Sequence, residues 1–220
     1  MRALDLFCGG GGASMGLHRA GFEVIGVDLE PQPHYPFEFH QGDALTYPLD
    51  GFDLIWASPP CQHFSTATRD RDRHPNLIEP IRSRLTGKRY VIENVLGAPL
   101  HAPVTLCGAM FDLRVVRHRL FETSFRCPAP PHPKHRGSIV TGEYVTVAGN
   151  GGVPAWTLRE RERRGMPRHI PGEMGLETWQ RAMGIDWLPR KPLTQAIPPA
   201  YAEWIGRHAH GSQAIVGCPR

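Results

Sequence analysis

Cys61 stands in Pro59-Pro60-Cys61-Gln62, directly after the apolar run Phe52–Ala57. A thiol placed where a buried strand ends, at the ligand-binding edge of an open sheet, reads as a nucleophile. The two prolines restrict the loop, and Gln62, His63, Ser65 and Thr66 make its composition too polar for a core. Two other segments can supply what such a thiol needs. Asp5-Leu6-Phe7-Cys8-Gly9-Gly10-Gly11-Gly12 is a strand that runs into consecutive glycines and then a helix. Without Cβ atoms in the way, backbone N–H groups and the helix start can approach a ligand closely. Asp28 ends the next strand at the distance where a carboxylate accepts hydrogen bonds from ribose hydroxyls, with Glu30 as the alternative, so the turn predicts a nucleoside-type cofactor. Asp43, in Gly42-Asp43-Ala44, is placed to accept from an exocyclic amine. Glu93 closes the run Tyr90–Asn94 and adds a carboxylate at another strand end.

The elements that must position these groups follow from hydrophobic pattern. Strands are predicted at Ala3–Phe7, Glu23–Asp28, Phe37–His40, Phe52–Ala57 and Tyr90–Asn94, and helices at Ala13–Ala20 and Asn76–Leu85. This alternation predicts a largely parallel sheet in an α/β domain. Glu30–Pro36 holds three prolines and is too short for a crossover helix, so an irregular loop should join the second and third strands. From Cys127 to Gly172 the chain is rich in Pro, His, Gly and Arg, with a strand expected at Tyr144–Ala148 and a turn at Gly149-Asn150-Gly151-Gly152. Helical pattern returns at Leu176–Met183 and Tyr201–Arg207. The expected organisation is a core over residues 1–125, a small irregular lobe over 126–172, and a segment over 173–220 that returns to the core.

With 220 residues, 40% of them hydrophobic, the chain suffices for one α/β domain with a full core. No apolar run approaches the roughly 20 residues of a membrane span, and the start lacks a signal-peptide pattern, so a cytoplasmic protein is expected. Five cysteines without paired spacing suit reduced thiols. The net charge of +4 is uneven, with basic residues gathered at Arg69–Arg73, Arg82–Arg89, Arg114–Arg119 and Arg159–Arg168. That permits a polyanionic partner without establishing one, because charge runs are usually solvated faces.

Asp-x-Phe-x-Gly-x-Gly, the acidic strand end at Asp28, Gly42-Asp43, Pro60-Cys61-Gln62 and Glu93-Asn94-Val95 occur in the order and approximate spacing of the DNA cytosine C5-methyltransferases, which this chain closely resembles. The resemblance runs from Asp5 to Arg119 and resumes at Thr194-Gln195-Ala196-Ile197-Pro198. It implies a Rossmann-like S-adenosylmethionine-dependent methyltransferase fold with a small irregular inserted lobe. It also implies S-adenosyl-L-methionine as cofactor, contacted by Asp5, Phe7, Gly9, Gly10, Gly12, Asp28, Leu29, Asp43, Ala44, Pro60, Gln195 and Ala196. Cys61, Glu93, Asn94 and Arg119 become the catalytic set. Gln62, Ser65, Arg117 and Arg119 become contacts to the substrate, double-stranded DNA.

Cytosine C5 is too poor a nucleophile to accept a methyl group, and a thiolate added at C6 makes it electron-rich. The resemblance gives Cys61 that addition, Glu93 the neutralisation of charge on the ring, and Asn94 the orientation of the loop, with the target base flipped out of the stack. Phe7 packs against the adenine or fills the core beneath the turn. Two departures stand out. Val115 occupies the place of a glutamine in the family's Gln-x-Arg-x-Arg motif, and Gln195 replaces an asparagine. The stretch in place of the target-recognition domain is short beside the on the order of 100 residues of a small domain. Low sequence specificity, or else a partner protein that supplies specificity, is expected, as are a phage or prophage setting and a monomeric chain. Other readings keep the thiol addition but change the acceptor to a free cytosine nucleotide or change the transferred group, or make the chain an inactive DNA-binding relative. Cys127-x4-His132-x2-His135, with Cys107 upstream, matches no compact zinc spacing, and no metal is expected.

Overall fold

Strands β1 (Arg2–Leu6), β2 (Glu23–Asp28), β3 (Glu38–Gln41), β4 (Leu54–Ala57), β5 (Tyr90–Asn94), β6 (Val104–Leu106) and β7 (Arg119–Thr123) form one sheet in the order β3-β2-β1-β4-β5-β7-β6. The computed structural model describes residues 1–66, 68–135, 137–149 and 153–211. The first five strands run parallel, and β7 runs antiparallel to both β5 and β6. Among the described residues the α-helices are α1 (Gly12–Arg19), α2 (Ile78–Arg84), α3 (Ala155–Arg163), α4 (Leu176–Met183), α5 (Arg190–Gln195) and α6 (Pro199–Gly211). None of them is long and apolar enough to cross a membrane.

Near-continuous apolar strands are what a sheet covered on both faces requires. Ala3, Leu54, Trp56, Val91 and Phe121 face a cluster built with Leu17 of α1 and Tyr201, Ala202 and Ile205 of α6. Leu4, Leu6, Ile55, Ala57 and Ile92 face the other way, onto Ile78 and Ile81 of α2. Alternation along each strand therefore sorts its residues between two layers of helix. The loop from β2 to β3 contains no helix, as its prolines require.

Beyond Asn94 the helices expected at Leu176–Met183 and Tyr201–Arg207 are present, whereas the strands needed correction. Strands β6 and β7 were not foreseen, since three apolar residues in Val104–Leu106 make too short a period to read. The expected strand at Tyr144–Ala148 is irregular backbone, although Val145 and Val147 are buried. These valines alternate inward because they pack on Trp179, Met183 and Leu188, not because they pair with a neighbouring strand. The basic cluster near Arg159 falls on α3, and its Arg161 is buried, donating to Glu173 at 2.7 and 2.8 Å and to the Val140 carbonyl at 2.7 Å. Asn150–Gly152 of the expected turn and Cys218 lie outside the described residues.

Helix α6 lies directly on α1, and the approach is close enough to demand glycine. A Cβ at Gly16 would collide with the Pro199 carbonyl oxygen and meet Glu203 N at 2.7 Å. Because backbone stands on the far side, neither helix can yield without moving as a whole. Gly16→Ala should cost about 1–3 kcal/mol, read as a lowered urea midpoint at unchanged slope.

Candidate active site

The glycine turn is held open by an unusual backbone path. Phe7 (φ +60°) and Gly9 (φ +48°) both lie in the left-handed region, which a bulky residue such as Phe7 enters only when its surroundings enforce it. The enforcing bonds run to the end of β2. Cys8 N donates to Val27 O at 3.1 Å, Gly9 N donates to Asp28 Oδ2 at 2.9 Å, and Asp28 Oδ1 accepts from Glu30 N at 3.1 Å. A Cβ built on Gly9 would touch nothing within 4 Å, so the turn borders free space beside Asp28. Leu29 follows with 66% of its surface exposed.

Asp5 sits beneath this turn, fully buried, with Oδ2 bonded by the Ser14 hydroxyl and Oδ1 lacking a partner among the described residues. Burial pushes its carboxyl up from 3.8 to about 7, against the lowering influence of Ser14. Ser14 also shares a 2.7 Å hydrogen bond with Tyr35, whose ring fills the space above Gly26. From the other side, Trp187 Nε1 donates to Gly10 O at 2.9 Å, and Leu188 occupies the space a Gly10 side chain would need. Ile197 backbone packs against Gly12, which brings buried Ala196 and exposed Gln195 to the turn. Asp43 is exposed and accepts from Leu45 N at 2.8 Å, next to buried Ala44. Sequence reasoning missed Trp187, Tyr35 and Ser14. Trp187 is 177 residues from its partner and left no local signal.

Cys61 leaves the end of β4 on the same edge. The fully buried Asn94 donates to Pro59 O at 3.0 Å and accepts from Val95 N at 2.9 Å, tying the proline loop to the end of β5. Phe64 N and Ser65 N both donate to Cys61 O, at 3.0 and 2.9 Å, turning the chain back after the thiol. Glu93 is buried and faces Arg119, whose Nε lies 3.1 Å from Oε1. Burial raises the Glu93 carboxyl above its usual range, opposed by Arg119, Arg117 and a hydrogen bond from Ser58. The Cys61 thiol is also raised, first by burial and then by the Glu93 charge, with Arg119 and Arg117 opposing. Gln62 contributes a buried Oε1 without a partner among the described residues.

Many of the clustered arginines are committed inside the protein. Arg117 donates to Val147 O and Thr194 O at 2.8 Å each, and its desolvated guanidinium is lowered to about 9. Arg82 binds Glu122 at 2.8 Å, and Arg114 donates to Glu143 O and Gly142 O. Arg117 thus reaches the site as a nearby charge while its Nη atoms hold the later segments in place. Val115, in the position of the expected glutamine, is buried in the cluster around Trp179.

Residues 1–77 match the model of the C-5 cytosine-specific DNA methylase family, and the geometry above gathers its motifs at one sheet edge. Over those residues the chain is similar to that family. It is 27% identical over 232 residues to the type II methyltransferase M.AplI of Arthrospira platensis, across 96% of this chain and 60% of the relative. It is 35% identical to M1.HphI of Haemophilus parahaemolyticus over 118 residues, 42% of this chain and 32% of that protein. The chain therefore spans less than two thirds of the length of these relatives. Among solved structures, a protein assigned as a DNA modification methyltransferase encoded within an E. coli prophage aligns with TM-score 0.59 at 14% identity, covering 96% and 99% of the two chains. S. pombe Dnmt2 methyltransferase aligns with TM-score 0.55 at 15% identity, covering 93% and 96%. These likenesses are of fold alone, that of the seven-stranded α/β sheet described above.

Two outcomes test the electrostatics. Alkylation of Cys61, mapped by mass across pH, should show an inflection above the ordinary thiol value that falls in Glu93→Gln and rises in Arg119→Ala; an unmoved inflection in both variants contradicts the assigned causes. Asp5 takes up a proton on folding between 3.8 and about 7, so its contribution to stability is present in acid and lost as pH rises through about 7. Asp5→Asn should therefore raise Tm relative to the wild type more at pH 8 than at pH 5.

Proposed function

We propose that this chain transfers a methyl group from S-adenosyl-L-methionine to C5 of cytosine in double-stranded DNA, through a covalent bond from Cys61 to C6 of a flipped base. The observation that carries this reading is the convergence at one sheet edge of Cys61, Glu93 with Arg119, and the glycine turn with Asp28. The turn's residues suit such a cofactor. Gly9 borders open space, Asp28 stands where ribose hydroxyls would reach it, exposed Leu29 offers an apolar surface to adenine, and the unpartnered Asp5 Oδ1 can accept from an ammonium group. Phe7, Gly10, Gly12, Asp43, Ala44, Pro60, Gln195 and Ala196 complete the proposed cofactor surroundings. When bound, the cofactor supplies an electrophilic methyl group.

The remaining steps belong to the protein and the base. A buried, raised Glu93 carries a proton to share with cytosine N3, which draws electrons from the ring and favours attack at C6. In that neutral form Glu93 no longer raises the thiol, while Arg119 and Arg117 stabilise the thiolate. Cys61, its proton given up to solvent, would bond through Sγ to C6 and make C5 nucleophilic. C5 would then take the methyl group, leaving the bound cofactor as the neutral thioether, after which a base removes the C5 proton and the S–C6 bond breaks to return the thiolate and release 5-methylcytosine. Asn94 ties the proline loop that carries Cys61 to the end of the strand that carries Glu93. Residues 126–172 would serve as a reduced target-recognition lobe, with Gln62, Ser65 and Arg119 nearest the flipped nucleotide.

Incubation with methyl-labelled S-adenosylmethionine and unmethylated duplex DNA, followed by nucleoside mass analysis, should give labelled 5-methyldeoxycytidine. Cys61→Ala should abolish transfer with cofactor affinity nearly intact, whereas Asp28→Ala should chiefly weaken the cofactor. Label appearing on free cytosine nucleotides and not on DNA would replace the acceptor, and turnover retained in Cys61→Ala would sink the covalent mechanism.

A further inference from the structure

Farther along the same sheet edge, beyond the Glu93–Arg119 pair, four side chains with metal-ligating atoms meet: Cys107, His118, His132 and His135, with one such atom from each lying within 4.8 Å of all the others. The set differs from the one that sequence spacing brought forward. Cys127 is buried in the hydrophobic cluster against the sheet and takes no part. Its place is taken by His118, which no spacing pattern connects to the histidines of the proline-rich segment.

Chain geometry explains the meeting. In the β6–β7 pair Leu106 lies opposite Arg119, so the next residues outward on each strand are Cys107 and His118. The proline-rich stretch after Phe125 then runs back across this strand pair and adds His132 and His135. Cys107 Sγ lies 3.4 Å from His135 Nε2, and His118 Nε2 lies 3.2 Å from His132 Nε2. A tetrahedral zinc ion with ordinary bond lengths would hold two nitrogens about 3.3 Å apart and a sulfur and nitrogen about 3.6 Å apart. The three rings converge, with centroid separations of 5.4, 5.5 and 5.0 Å. His132 Nδ1 lies 2.8 Å from Pro133 O, the backbone bond that protonates Nδ1 and leaves Nε2 as a free electron pair toward the centre. Cys107 is fully buried, whereas His132 and His135 are exposed, which gives an ion a path in from solvent.

We propose that Cys107, His118, His132 and His135 form a structural zinc site. One thiolate and three imidazoles make a closed four-coordinate set, with no position left for a catalytic water. The Cys107 thiol gives its proton to solvent on binding, and the three histidines enter neutral. The ion would pin the proline-rich segment to the sheet at a point flanked by Arg117 and Arg119, and so hold the root of the proposed recognition lobe. Metal binding here does not depend on the transfer reaction, and its test reads the metal itself.

The 220-residue chain, produced without a histidine tag and exchanged into chelator-treated buffer, should retain about one zinc per chain by elemental mass spectrometry. Replacement by Co2+ should give tetrahedral d–d bands and a thiolate-to-cobalt charge-transfer band. Cys107→Ser should remove the charge-transfer band, Cys127→Ser should leave it, and His132→Ala, at an exposed position where folding is least disturbed, should lower metal retention by more than about tenfold. The proposal is overturned if wild-type protein neither retains zinc nor takes up Co2+. It is equally overturned if the band follows Cys127 instead of Cys107, or if folded His132→Ala retains metal unchanged.

Discussion

The reversal of chain direction at β7 is the constraint on which both the candidate active site and the histidine cluster depend. In a sheet of parallel strands only the carboxyl ends reach the ligand-binding edge. Because β7 runs against β5, its beginning reaches that edge instead. Arg119 therefore arrives beside Glu93 at the end of β5, and His118 arrives beside Cys107 at the end of β6. A seventh strand laid parallel would deliver Thr123 and Ser124 to the edge and leave Glu93 buried without its cation.

Burial sets the chemistry at that edge, and charge adjusts it. Desolvation is the largest influence on Asp5, Cys61, Glu93 and Arg117, and in each case it disfavours the ionised form. Arg117, Arg119, Glu93 and Cys61 then act on one another at short range in a medium that screens poorly. Such a site is costly to the free protein and suits the proposed chemistry, in which the carboxyl shares a proton with a bound base while the thiol adds to it. The commitment of Arg117 to the Val147 and Thr194 carbonyls shows how the fold maintains a charge close to the thiol. The guanidinium is fixed by backbone acceptors that do not neutralise it.

The segment after Gly172 closes the structure around the glycine turn. Trp187 bonds Gly10, Leu188 and Ile197 stand where side chains at Gly10 and Gly12 would be, and α6 packs on α1 through Gly16. Some glycines of the turn are thus demanded by protein packing, and Gly9 alone among Gly9–Gly12 has open space around its Cα. The proposed cofactor turn and a helix-packing surface share one glycine run.

The strands up to Asn94, both early helices and the loop without a crossover helix were legible because each depends on local periodicity or on proline chemistry. So were the positions of Cys61, Glu93 and Asp28 at strand ends, and the family resemblance rested on that order of motifs. Other features needed the tertiary structure. The inward valines at Val145 and Val147 were mistaken for a strand, because burial against helices and pairing in a sheet leave the same alternation. Trp187, Tyr35 and His118 carry no signal of their partners, which are distant in sequence and near only after the sheet has formed. The chain alone determined which residues end the parallel strands, since apolar period and turn residues act within a few positions. The antiparallel return of β7 and the closure by the C-terminal helices decided which of those ends face one another, because register and packing are satisfied only by the whole sheet.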